Sequence, residues 1–102
     1  MVDFVTVANV NDVKEGEGKT VEANGKTIAL FNVDGKFYAI DNTCVHSGGP
    51  LGEGVCDGKI VTCPWHGWKY DVTTGVSPVN PQAKVATFEV QVEGEDVKVK
   101  TE

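Results

Sequence analysis

Apolar residues along this chain fall in short β-rich runs broken by turn residues, with alternation at period two in Val97 to Lys100. No stretch carries the three-to-four spacing of a long amphipathic helix. Phe4 to Ala8 is a short apolar run, and Asn9 to Gly18 is polar and turn-like, with room for one loose helical turn. Thr20 to Ala23 and Thr27 to Val33 read as strands on either side of Asn24-Gly25, a dipeptide suited to a tight hairpin because both residues tolerate positive φ. Asp34-Gly35 repeats the device before Lys36 to Ile40. Asp57-Gly58 precedes a short strand at Ile60 to Thr62, and Trp68 to Val72 is a further strand closed by Thr73-Thr74-Gly75. Lys84 to Val92 reads as the longest strand, with Val85, Phe88, Val90 and Val92 as buried positions. A turn over Glu93 to Asp96 returns into Val97 to Lys100, where valine alternates with lysine. The pattern predicts an all-β fold, a small antiparallel sandwich or barrel.

Three stretches interrupt the strands: Asn42 to Gly54, Cys63 to Gly67, and Ser77 to Gln82 with its two prolines, Pro78 and Pro81. The first two hold both histidines of the chain. Chemistry gathered on loops of a β scaffold is the usual arrangement for a site. The 102 residues make a single domain, 1–102, large enough for a modest core and too small for a deep pocket as well.

Charge narrows the function. Asp and Glu outnumber Lys and Arg by 15 to 9, arginine is absent, and the net charge is −6. Nucleic-acid binding wants a basic footprint, so it is set aside. No apolar run approaches the length that spans a bilayer, and no secretory signal opens the chain; the expected setting is the cytoplasm, without a membrane partner. Three cysteines (Cys44, Cys56, Cys63) do not make a disulfide scaffold. The acidic surface either keeps the protein dispersed or steers it to basic partner faces.

Cys44-Val45-His46 is followed after sixteen residues by Cys63-Pro64-Trp65-His66. Two cysteines and two histidines form a complete set of four soft-to-borderline metal ligands. Gly48, Gly49 and Pro50 follow the first pair, and Pro64 and Gly67 belong to the second. Glycine lets backbone N–H groups approach sulfur closely, which a buried, electron-accepting cluster needs. A single tetrahedral zinc uses the same residue types, but usually as Cys-Cys and His-His pairs rather than two mixed ones. Two neighbouring metals relax the tight Cys-x-His spacing, with one ion taking both cysteines and the other both histidines.

These motifs, with Gly-Gly-Pro-Leu after the first and Pro-Trp-His-Gly-Trp around the second, resemble those of Rieske-type [2Fe–2S] proteins. The resemblance spans essentially the whole chain. It implies a [2Fe–2S] cluster with Cys44 and Cys63 on one iron and His46 and His66 on the other. It also implies three antiparallel sheets, with a cluster-binding subdomain at roughly 42–71. Tyr70 matches a family tyrosine whose hydroxyl bonds a cysteine sulfur, here that of Cys44. Leu51 is expected to pack the first loop down beneath the cluster, and the Pro78–Pro81 loop to cover it. Trp65 and Trp68 either shield the cluster or pack as core.

The subtype follows from departures. Members of the cytochrome bc type carry an extra cysteine in each loop and a serine after the His-Gly pair; those positions are Gly49, Trp65 and Trp68 here. The chain therefore resembles the soluble ferredoxins that serve oxygenases, with Cys56 a spare thiol. With both histidines committed, no 2-His-1-carboxylate iron site remains for oxygen activation, so a carrier rather than an enzyme is expected. The implied partners are a flavin-dependent reductase and a terminal oxygenase, such as a ring-hydroxylating dioxygenase, met transiently by a monomer. The alternatives are the small Rieske subunit of an assimilatory nitrite reductase, or a metal-bearing structural or redox-sensing module.

Overall fold

A computed structural model of the chain describes residues 4–43, 49–65, 67–80 and 82–100. Among them are β1 (Val5–Asn9), β2 (Gly18–Ala23), β3 (Lys26–Val33), β4 (Lys36–Asp41), β5 (Val55–Asp57), β6 (Ile60–Thr62), β7 (Lys69–Asp71), β8 (Thr87–Glu93) and β9 (Asp96–Lys100), with one 3-10 turn at Leu51–Glu53. The polar stretch before Gly18 forms turns, closed by Asp12 N–H to the Asn9 carbonyl at 2.8 Å and Glu17 N–H to the Lys14 carbonyl at 2.9 Å.

Turn chemistry sets the hairpins. Asn24 (φ 51°) with Gly25 (φ 80°) and Asp34 (φ 53°) with Gly35 (φ 86°) have positive φ at both central residues, the combination that matches strand twist in a two-residue loop. The buried Asn32 side chain secures the second of them, accepting from Gly35 N–H and donating to the Val13 carbonyl, each at 2.9 Å.

The described strands form a six-stranded sheet in the order β1-β9-β8-β4-β3-β2 and a three-stranded sheet in the order β5-β6-β7, with antiparallel pairing throughout. The larger sheet is two three-stranded halves joined at a short seam, because β4 and β8 pair only at Ala39–Phe88 and Ile40–Thr87. The expected three-sheet plan therefore appears as two halves and a separate small sheet.

β3 is the wall between two cores. Ile28, Ala29, Leu30 and Phe31 are all fully buried. Successive side chains point to opposite faces. Ala29 and Phe31 accordingly join Leu51, Val61, Cys63, Tyr70, Val72 and Val85, while Ile28 and Leu30 join Val13, Val21, Val97 and Val99.

Three expectations are corrected. The strand expected over 84–92 starts only at Thr87, because Lys84 bridges Val76 and Val85 N–H bonds the Gly75 carbonyl at 2.8 Å. At eight residues β3 exceeds β8 at seven, and Val92 is 46% exposed because β8 runs on beyond its seam with β4. The strand at Ile60–Thr62 does follow Asp57-Gly58, and the pairing of Asp57 with Ile60 adds the strand β5 to the reading.

Candidate metal centre

The second ligand loop grows directly out of the β6–β7 hairpin. After the pair Thr62–Lys69, Cys63 N–H donates to the Trp68 carbonyl at 2.6 Å. Gly67 N–H donates to the Cys63 carbonyl at 3.1 Å, with Gly67 at φ 76°, a left-handed conformation that favours glycine. Cys63 itself is 1% exposed and sits in the core cluster with Tyr70, Leu51 and Val61.

The first ligand loop is closed at its neck. Thr43 and Pro50 form an isolated antiparallel bridge, and Leu51 N–H donates to the Asn42 carbonyl at 2.7 Å. Leu51 is fully buried in the same core cluster as Cys63, as expected of a residue that roots the loop. Cys44, His46 and His66 lie outside the described residues, as do Gly48 and Pro81.

The two loops meet at Gly49. A β-carbon built there would lie 2.8 Å from Cys63 Sγ and 3.0 Å from Trp65 Cγ. Only glycine lets the main chain of the first loop lie against the sulfur of the second. A dry cysteine sulfur faced by backbone without an intervening side chain suits a sulfur-ligated cluster, whose added electron must be stabilised without water. Among the described residues no three His, Cys, Asp or Glu side chains gather elsewhere as a rival metal site.

The tryptophans separate. Trp65 is 60% exposed over Gly49, whereas Trp68 is half-buried and packs on the core. The proline-containing loop stands beside them. Buried Ser77 Oγ accepts from Val79 N–H and Asn80 N–H, both at 3.3 Å. A cavity of about 260 Å³ separates this loop from the second ligand loop, lined by Gly67, Trp68, Lys69, Ser77, Val79 and Asn80. Tyr70 is fully buried on β7, opposite Val61.

Cys56 lies apart on β5, with its thiol directed to the Gly58 carbonyl at 3.4 Å. Burial, and then the neighbouring Asp57 carboxylate, push its pKa up. At the base of the small sheet, burial opposes ionisation of Asp71. Its hydrogen bonds from Thr73 and the Lys59 ammonium at 3.5 Å outweigh that and hold the carboxyl below the usual range.

The model of the Rieske [2Fe-2S] domain matches residues 3–89 of the chain. The chain belongs to the Rieske [2Fe–2S] family. A ferredoxin component of naphthalene 1,2-dioxygenase/salicylate 5-hydroxylase systems from Ralstonia sp is 36% identical over 101 residues, 98% of this chain and 97% of that protein. Among solved structures, a chain of the complex of reduced oxygenase and oxidized ferredoxin in carbazole 1,9a-dioxygenase superposes with a TM-score of 0.87 at 32% identity, covering 97% of this chain and 94% of that one. A chain named as a nitrite reductase NADPH small subunit shares the fold at a TM-score of 0.82 and 20% identity, covering 95% and 97%.

This Rieske protein carries a [2Fe–2S] cluster, and it is an electron-transfer component rather than a catalyst. No helix among the described residues is long and apolar enough to cross a membrane. Glycine beside the first pair was legible as a device for close approach to sulfur, and Gly49 against Cys63 is such an approach. Nothing in the sequence marks Asn42, since an asparagine at a strand end carries no signal of which backbone groups it will meet.

Proposed function

We propose that this chain passes single electrons from a flavin-dependent reductase to a ring-hydroxylating terminal oxygenase. The cluster ligands on this reading are Cys44 and Cys63 on one iron and His46 and His66 on the other, within a subdomain at roughly 42–71 of the single domain 1–102. The contact between Gly49 and Cys63 carries the reading, because it joins the two motif loops at a sulfur. The ferredoxin relatives of similar length support the choice of partner.

When bound, the cluster takes up and returns one electron. The chain supplies the rest. Cys63 and Leu51 anchor the two loops in the core cluster that also contains Tyr70. The hydrogen bonds of Cys63 and Gly67 fix the second loop, so that little rearranges as charge changes. Trp65 and Val79, 60% and 75% exposed, make the surface beside the loops partly apolar. The net charge of −6 favours encounter with basic partner faces at low salt. The carrier acts as a monomer in the cytoplasm.

The test is reconstitution. A reductase and a ring-hydroxylating oxygenase lacking their own ferredoxin should turn over when the loaded protein is added. Transfer to a sirohaem nitrite reductase, with none to the oxygenase, would support the nitrite reductase subunit instead. Purified protein holding zinc and no iron would overturn both.

A further inference from the structure

We infer that Asn42 is a positioning residue that clamps the neck of the first ligand loop and, through Thr20, ties it to β2. Asn42 stands just beyond the end of β4 and is 7% exposed. Its carbonyl accepts from Leu51 N–H at 2.7 Å, and its side-chain Oδ1 accepts from Gly52 N–H, also at 2.7 Å. Thr20 Oγ1 donates to the same Oδ1 at 3.2 Å, and Asn42 N–H donates to the Thr27 carbonyl at 3.3 Å. Leu51 and Gly52 are the first residues after the Thr43–Pro50 bridge. One residue on the entering side of the loop therefore holds two on the leaving side.

The packing leaves no slack. A β-carbon on Gly52 would overlap Thr20 Oγ1 and lie 2.9 Å from both Asn42 Oδ1 and the Thr20 nitrogen. The neck is seated directly on β2, with Oδ1 as the shared acceptor. Without that oxygen, the Gly52 N–H and the Thr20 hydroxyl lose their partner in a buried setting. Gly52 N–H and the Thr20 hydroxyl both require an acceptor at this position, so an apolar isostere does not serve there. Cys44 and His46 follow Asn42 by two and four residues, so the clamp sets where they stand. That consequence rests on the ligand assignment proposed above.

The experiment compares Asn42→Leu, Asn42→Asp and Thr20→Val in the loaded protein. The readouts are the rate of iron loss to a chelator and the line shape of the reduced protein's electron paramagnetic resonance. Asn42→Leu removes the acceptor of two hydrogen bonds, so it should release iron roughly tenfold faster or more and broaden the spectrum. Asn42→Asp keeps the acceptor oxygen but buries a carboxylate, so both readouts should fall between native and those of Asn42→Leu. Thr20→Val should move both in the direction of Asn42→Leu by less, and it decides the matter if Asn42→Leu does not fold. Native values of both readouts in Asn42→Leu or Thr20→Val overturn the clamp. Cluster retention in Cys44→Ala would overturn the ligand assignment instead.

Discussion

Gly49 of one ligand loop lies against the sulfur of Cys63 in the other, so closely that a methyl group at position 49 would come within 2.8 Å of Sγ. On the proposed ligand assignment, the contact puts bare backbone rather than a side chain where the sulfur of a reduced cluster needs stabilisation. It also shows why the loops cannot be altered independently.

Gly49→Ala should therefore push the loops apart. Overpacking of a buried site costs about 1–3 kcal/mol, enough to speed iron loss roughly tenfold or more. The check is iron per chain and the decay of visible absorbance under chelator. Unchanged decay would mean that Trp65 swings away and the backbone stays put.

Tyr70→Phe tests the hydroxyl. The native midpoint is expected in the lower part of the Rieske range of roughly −150 to +300 mV, since neither a serine at position 68 nor an inter-loop disulfide is present. If the Tyr70 hydroxyl donates to the Cys44 sulfur, as the resemblance implies, its removal should lower the midpoint further, by several tens of millivolts: a fraction of a charge-assisted hydrogen bond, at about 59 mV per tenfold. The cluster should stay bound. An unchanged midpoint in a redox titration would leave Tyr70 with packing alone.

Asp71 makes folding pH-dependent. Its folded pKa is depressed, so its contribution is present above the unfolded value, near 3.9, and is lost as pH falls through the folded one. Asp71→Asn should cost about 1 kcal/mol at pH 7, mostly through the Thr73 bonds, since the exposed Lys59 ammonium adds little. Urea unfolding should show the two proteins converging as pH drops below about 4. A difference that persists in acid would assign the effect to packing.

Cys56 should be dispensable. Cys56→Ser should leave the visible spectrum and iron content intact, because the thiol bonds the Gly58 carbonyl on a different strand from the ligand loops. Its raised pKa keeps little thiolate at neutral pH, so alkylation by iodoacetamide should be slower than for a free cysteine and should quicken as pH rises. Iron loss in Cys56→Ser would reassign the ligands.

Much of this was legible beforehand, for local reasons. Asn24-Gly25 and Asp34-Gly35 admit few conformations besides tight turns, so β2 to β4 could be placed from them. The Cys-x-His and Cys-x2-His pairs pointed to the cofactor through their resemblance to the Rieske motifs, since the same residue types alone also suit zinc. What escaped depended on partners distant in sequence. Val85 follows the pattern of β8, but its N–H is claimed by Gly75. Val92 alternates correctly and is still exposed, because β4 diverges from β8. The continuous Ile28-Ala29-Leu30-Phe31 run reflects burial on two faces, which becomes visible only once both cores are assembled.

Electron–nuclear double resonance on the reduced protein carrying ¹⁵N-labelled histidine tests the central claim most directly. The chain contains two histidines, His46 and His66, and the proposed function puts both on one iron. Two strongly coupled nitrogens are expected, one disappearing when either histidine is replaced in samples that still hold iron. A cluster signal with no histidine coupling, or with one only, would contradict the account.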